Sequence, residues 1–178
     1  MEEQYRFSPI KTEKKLFEAI EYTHFVCFEL CKKAFGEYLP VVGNIGIFCH
    51  YDDEFKFLKK LRKRLTKESK NWNQKYFYLH KPITIKIKNN VPETTYTYLY
   101  IRKPDQHTQV GDVDFIMSTE EHNKLKNITF LKNKINDVEI FYRPDLDMIR
   151  LSNSNIDALA YISTKTMDQN MKESLNKK

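Results

Sequence analysis

Three aspartates close together in the sequence are the residues best suited to catalysis. Asp112 and Asp114 alternate along a predicted strand, which places both carboxylates on one face of a sheet, about 7 Å apart. Asp105 precedes them in a Pro-Asp turn. Carboxylate oxygens are the ligands that hard divalent cations prefer. One hypothesis is therefore a metal-dependent enzyme in which these aspartates hold a divalent cation and act on a phosphorylated or nucleic-acid substrate.

A run of tyrosines ending in arginine favours binding rather than catalysis. Tyr96, Tyr98, Tyr100 and Arg102 occupy alternate positions of a predicted strand, so we expect them on one face of the sheet. Flat rings can stack on bases, and the guanidinium fork suits phosphate or carboxylate. The predicted ligand-binding set is Tyr96, Tyr98, Tyr100, Arg102, Lys86 and Lys88. The leading hypothesis is a binding domain for an anionic partner, either nucleic acid or a phosphorylated ligand; solvent-facing sheet pairs are the simpler alternative.

Positive charge is concentrated in one region of the chain. The whole sequence carries 30 basic and 24 acidic residues, whereas residues 51–100 alone carry 12 and 5, a net charge of +7. A predicted helix from residue 52 to about residue 70 separates a leucine and phenylalanine side from a lysine side. We predict that Lys59, Lys60 and Lys63 contact phosphates or an acidic partner. A solvated helix face is the alternative.

The cysteine spacing and the absence of long apolar runs bear on disulfides, metal binding, cellular compartment and membrane association. Three cysteines without a Cys-x-x-Cys pair indicate neither a disulfide framework nor a zinc site. No signal peptide and no membrane-length apolar run is evident, so we expect a cytoplasmic protein with no membrane partner. A small-ligand or protein-interaction domain is a third hypothesis. The only metal ligands that the sequence suggests are Asp112 and Asp114.

The elements that must position these residues follow from hydrophobic periodicity. We predict one globular domain over residues 1–178, with flexible ends at 1–7 and 174–178. The predicted order is α-β-α-β-β-β-α-β-β-α, with the first helix opening at Ser8-Pro9 and the last capped by Asn155. Runs of adjacent strands favour an α+β fold, with a mostly antiparallel sheet and helices packed on one face.

Two features of this order bear on the architecture. The segments Ile101–Asp105 and Phe141–Asp145 both carry a strand into a Pro-Asp turn, and two similar turns explain this better than duplication. The alternation of β-α-β-β-β with a second β-α-β-β, over about residues 41–152, resembles the paired modules of vicinal-oxygen-chelate proteins. This resemblance implies a fold only. The metal ligands of that family are His and Glu at strand positions, and the sequence offers no equivalent set.

Overall fold

The computed structural model describes residues 5–71, 73–129 and 133–165. Its helices are α1 (Glu13–Phe35), α2 (Asp52–Leu65) and α3 (Thr119–Thr129). Its strands are β1 (Val41–Phe48), β2 (Phe77–Ile85), β3 (Thr94–Arg102), β4 (Gly111–Met117), β5 (Asn133–Ile135), β6 (Val138–Arg143), β7 (Met148–Asn153) and β8 (Ile156–Thr164). All eight strands form one sheet in the order β2-β3-β1-β4-β8-β7-β6-β5. Trp72 and the predicted flexible ends, apart from residues 5–7, lie outside the described residues.

The sheet has two halves that meet at its centre, where β1 pairs with β4 in antiparallel fashion. In the first half β1 pairs with β3 in parallel, and in the second half β4 pairs with β8 in parallel. The other strand pairs are antiparallel. The predicted α+β class is confirmed, with a mixed sheet. The two halves have the orders β1-α2-β2-β3 and β4-α3-β5-β6-β7-β8, which are unequal and differ from the β-α-β-β-β followed by β-α-β-β that the sequence suggested.

Helix α1 crosses the centre of the molecule. Its stripe of buried residues, including Leu16, Ile20 and Cys27, packs into a cluster with the buried side chains of β1 and β4. The helix begins at Glu13 with Thr12 as N-cap, so the predicted start at Ser8-Pro9 is wrong. Ser8 instead donates a hydrogen bond to the buried carboxylate of Glu54, which ties the N-terminal segment to α2.

The predicted last helix is a strand. Residues 156–164 form β8, which lies between β4 and β7 in the interior of the sheet. Both faces of this strand are covered, and from Ala158 onward every residue is buried. A short, continuous apolar run of this kind has the same pattern in a buried strand as in a buried helix. The structure also adds the short edge strand β5, which was not predicted.

Two element boundaries differ from the prediction in ways that affect the site. Helix α2 ends at Leu65 rather than near residue 70. Strand β2 ends at Ile85, so Lys86 and Lys88 of the predicted ligand-binding set lie beyond it. As an edge strand it accommodates Pro82, which cannot donate to a ladder. No helix among the described residues is long and apolar enough to cross a membrane.

Candidate ligand-binding cleft

The face of the sheet opposite α1, here called the open face, carries polar side chains near its centre. Strand alternation puts Ile45, Ile47, Val113 and Phe115 into the main core. Their neighbours along the strands point the other way. The central residues of the open face are Asn44, Gly46, Phe48, Tyr98, Tyr100, Arg102, Asp112, Asp114 and Tyr161. A small second cluster of Phe48, Leu159 and Tyr161, with Met148, lies on this side.

A cleft of about 390 Å³ lies on the open face across the junction of the two halves. Its lining residues are Lys75, Tyr76, Tyr100, Arg102, Lys103, Asp105, Asp112, Asp114, Arg143, Asp145, Leu146, Met148 and Tyr161. The lining thus combines four bases, four acids and three tyrosine rings. Asp105, Asp112, Asp114, Tyr100 and Arg102, all predicted site residues, meet in this one place.

Asp112 forms the floor of the cleft. Its side chain lies above Gly46, its pairing partner on β1, and only 6% of the residue is exposed. A Cβ on Gly46 would come within 2.0 Å of Oδ1 of Asp112, so a side chain at position 46 would displace this carboxylate. Burial, followed by the charge of Asp114, raises the pKa of Asp112 well above its usual value, and Arg102 opposes this only in part.

Asp114 is held by two neighbours on the open face. The amide of Asn44 donates to its Oδ2 at 3.3 Å, and the hydroxyl of Tyr76 donates to the same oxygen at 3.2 Å. Burial and the charge of Asp114 in turn raise the pKa of Tyr76, which keeps this phenol protonated as a donor. The two buried carboxylates therefore have different surroundings. Asp114 accepts two side-chain hydrogen bonds, whereas Asp112 lies closely against Gly46.

Arg102 projects from the end of β3 and forms one rim of the cleft. Its Nε and Nη2 atoms lie 2.7 and 2.6 Å from Oδ2 of Asp105. The backbone N–H of His107 donates to Oδ1 of Asp105 at 2.8 Å. Burial acts to raise the pKa of Asp105, but these hydrogen bonds outweigh it and lower the pKa to about 2. Asp105 is therefore ionised and orients the guanidinium.

The second Pro-Asp turn supplies another rim of the same cleft. Arg143, at the end of β6, donates through Nε and Nη2 to the two carboxylate oxygens of Asp145, at 3.0 and 2.5 Å. The similar segments Ile101–Asp105 and Phe141–Asp145 thus place two aspartate-held arginines around one cleft. Sequence analysis noted this similarity but did not include Arg143 in the site.

Tyr96 lies on the other side of the sheet from Tyr98, Tyr100 and Arg102. It is fully buried, and its hydroxyl forms a 2.8 Å hydrogen bond with Nδ1 of His24 on α1. The alternation of β3 changes phase at Thr97. Tyr96 and Leu99 both point into the core, although they are three residues apart. Gly43 of β1, with φ of +100°, faces this slip, and a Cβ there would lie 3.1 Å from Oγ1 of Thr97.

The predicted lysine contacts lie away from the cleft. Lys86 and Lys88 follow the end of β2; Lys86 pairs with Glu93 at 2.8 Å and Lys88 reaches Glu21 of α1 at 3.8 Å. Lys59, Lys60 and Lys63 are exposed on α2, whose buried residues Leu58 and Leu61 join the core shared with α1. Lys59, Lys60 and Lys63 therefore belong to a surface other than the cleft.

The described residues include no group of three His, Cys, Asp or Glu side chains arranged to hold a metal ion. Asp105 turns toward Arg102 and His107. Asp112 and Asp114 lie together on the floor of the cleft, whereas Asp105 and Asp145, the other acids of the lining, lie on the rim. The chemistry that this arrangement offers is a buried acid with a raised pKa beside arginine donors, which is a common feature of functional sites.

The residues not predicted from the sequence include Tyr76 and Tyr161 of the lining and Gly46, which lies against Asp112. Tyr161 was hidden because its segment was predicted to be helical. Gly46 carried a usable signal, because an isolated glycine inside a strand pattern often marks the close approach of another group. Tyr76 lies before β2, where no periodic pattern indicates which way a side chain points.

Comparisons with known proteins provide a fold and no function. No family model matches the chain, and no curated protein matches it. A solved structure titled "Structural Genomics, Protein EC4020" is similar to it with a TM-score of 0.56 at 10% sequence identity. The match covers 93% of this chain and 96% of that chain. Similarity at this identity establishes a shared fold alone.

Proposed function

We propose that the protein binds a small phosphorylated organic molecule in the cleft of the open face, with the helices packed on the opposite face of the sheet. The observation that carries this proposal is the meeting of a buried carboxylate pair, two oriented arginines and three tyrosines in one concave site. Pockets of this kind, in which a few polar groups converge among rings, are typical of small-ligand sites.

Each group has a distinct role in this proposal. Arg102 uses some of its five N–H donors on Asp105 and His107, and Arg143 uses some on Asp145 and Tyr161. The other donors of each guanidinium are available to a phosphate. Asp112 accepts hydrogen bonds from hydroxyl or amino groups of the ligand. Tyr100 and Tyr161 contact its ring or carbon skeleton, and the hydroxyl of Tyr100 hydrogen-bonds to it.

A small ligand is better supported than a nucleic-acid strand at this cleft. The volume of about 390 Å³ is in the range of small-molecule sites. The two buried aspartates at its floor would repel a polyphosphate chain that followed the sheet.

Three free, buried cysteines, Cys27, Cys31 and Cys49, favour a reducing compartment such as the cytoplasm.

Thermal stability measured with paired ligands tests the proposal. Nucleoside monophosphates and hexose phosphates are each compared with their unphosphorylated forms. A ligand that binds only the folded state, present at 100 times its Kd, should raise Tm by about 5 °C or more. The shift should be lost in Arg102→Gln and retained in Arg64→Gln, which removes an arginine from the remote pair with Glu13. Equal shifts with phosphorylated and unphosphorylated ligands would contradict the proposal.

A catalytic role for Asp112 is a second candidate function. Its raised pKa favours the protonated acid, which would serve as a proton donor to the ligand. In this version the ligand is also a substrate, and Arg102 stabilises charge on its phosphate. Incubation of the ligand identified above with wild type and Asp112→Asn, followed by product analysis, tests this role. Binding without turnover in the wild type would leave the binding function alone.

A further inference from the structure

The exposed side of α2 concentrates positive charge. Several surface lysines elsewhere have acidic partners: Lys14 with Glu18 at 3.8 Å, Lys86 with Glu93 at 2.8 Å and Lys124 with Glu120 at 2.7 Å. Within residues 5–71, 73–129 and 133–165, no ion pair forms at the six exposed lysines of α2 and the segment after it. These are Lys56, Lys59, Lys60, Lys63, Lys67 and Lys70.

The lysines are spaced regularly along the helix. Lys56, Lys60 and Lys63 follow one another at intervals of four and three residues, which lie on one side of a helix, about 5 to 6 Å apart along its axis. Lys67 and Lys70 lie in the segment after α2 ends at Leu65. A solvated helix normally intersperses acids among its bases. Here the acidic residues Asp52, Asp53 and Glu54 are confined to the first turn, so the positive field along the rest of the exposed side is not cancelled.

Aromatic rings adjoin this charge where α2 meets the edge strand. The guanidinium of Arg62 lies over the ring of Phe77 at 3.5 Å. The ammonium of Lys67 lies 4.4 Å from the ring of Tyr78. Tyr78 is 39% exposed and meets Tyr98 edge to face.

A groove of about 340 Å³ runs between the end of α2 and the edge strand. It is lined by Lys59, Arg62, Lys63, Thr66, Lys67, Glu68, Ser69, Asn71 and Phe77. Four bases stand against the single acid Glu68. Backbone contacts fix the geometry, because the N–H of Lys67 donates to the carbonyl of Tyr78 at 2.8 Å.

We infer that this surface, the α2 lysines with Tyr78 at the edge of β2, binds single-stranded nucleic acid. Unpaired lysines are suited to follow a phosphate backbone. The ring of Tyr78 is 39% exposed, with the ammonium of Lys67 over one of its faces, and its other face offers a stacking surface for a base. An acidic protein surface would use the charge but not the ring. The inference is independent of the cleft, because none of the six lysines lines it.

Fluorescence anisotropy with a labelled oligothymidylate tests this inference. The triple variant Lys59→Gln/Lys63→Gln/Lys67→Gln should bind at least about tenfold more weakly, and the slope of log K against log salt should shrink by about 2. The matched control is Lys14→Gln/Lys86→Gln/Lys124→Gln, which makes the same change in net charge but removes only paired lysines. The control should bind like the wild type.

Two further measurements decide the kind of partner. Tyr78→Ala should weaken oligothymidylate binding about tenfold if a base stacks there, and Arg102→Gln should leave it unchanged. Equal losses in the two triple variants would overturn the inference, since they would show that only net charge matters. Displacement of the oligonucleotide by polyglutamate or by anionic phosphatidylserine vesicles at equal charge would also overturn it, in favour of an acidic protein or a membrane surface.

Discussion

Gly46 and Asp112 face each other across the central strand pair, and the absence of a side chain at Gly46 makes room for the carboxylate of Asp112. The Cβ of an alanine at position 46 would lie 2.0 Å from Oδ1 of Asp112, which is too close for both atoms to keep their positions. Two buried strands cannot separate to relieve this contact without disturbing the core on the other side. The floor of the cleft therefore depends on a glycine that has no chemistry of its own.

Gly46→Ala is expected to destabilise the protein by about 1–3 kcal/mol through overpacking. It should also abolish the ligand-dependent rise in Tm, because Asp112 has to move. The double variant Gly46→Ala/Asp112→Ala should be less destabilised than the sum of the single variants. Chemical denaturation of all four proteins measures this coupling, and strictly additive effects would show that the two residues are not in contact.

Asp112→Asn is expected to stabilise the protein at neutral pH, by on the order of 1 kcal/mol. Burial raises the pKa of Asp112, so the folded state binds this proton more tightly than the unfolded state. Stability is therefore lost as the pH rises from the unfolded value toward the folded pKa. Asparagine carries no charge and avoids this loss. The advantage of the variant should vanish below about pH 4, and a variant less stable than wild type at pH 7.5 would contradict the expectation.

His24 is expected to make the protein sensitive to mild acid. Burial lowers its pKa to about 4, so the unfolded state takes up a proton that the folded state refuses. The contribution of His24 is present above about pH 6.5 and is lost as the pH falls toward 4, by up to about 3 kcal/mol. In His24→Gln the free energy of unfolding should depend less steeply on pH across this window. An unchanged profile would show that other groups account for the acid sensitivity.

Tyr96→Phe and Tyr100→Phe should separate core from cleft. Removal of the Tyr96 hydroxyl leaves Nδ1 of the buried His24 without its partner, which should cost about 1–3 kcal/mol. Ligand affinity should not change. Tyr100→Phe should have little effect on stability but weaken the ligand-dependent shift in Tm. The opposite assignment of effects would place Tyr96 on the open face after all.

Much of the site could be predicted from local pattern. Strict alternation at Asp112, Val113 and Asp114 correctly placed both aspartates on the face away from the core. The same rule failed at Tyr96, because it assumes that a strand keeps one phase along its length. The slip at Thr97 depends on Gly43 in a strand some fifty residues earlier, and pairing between distant strands leaves no mark on the periodicity of either one.

The strand β8 shows a different limit. An amphipathic element shows its period because one of its sides meets water. Residues from Ala158 onward are all buried, so the order of polar and apolar residues no longer indicates whether the segment is a helix or a strand. Tyr161 was lost from the predicted site for this reason. Its cleft-facing position follows only from the parallel pairing of β8 with β4.

The central pairing of β1 with β4 has a consequence for motion. Arg102 and Tyr100 stand on one half of the sheet, and Asp112, Arg143 and Tyr161 on the other. A ligand in the cleft therefore contacts both halves of the sheet. The two halves could then separate along β1 and β4 only after the ligand had dissociated. Amide hydrogens along β1 and β4 should consequently exchange with solvent more slowly when the cleft is occupied, although the ligand touches few of those amides itself.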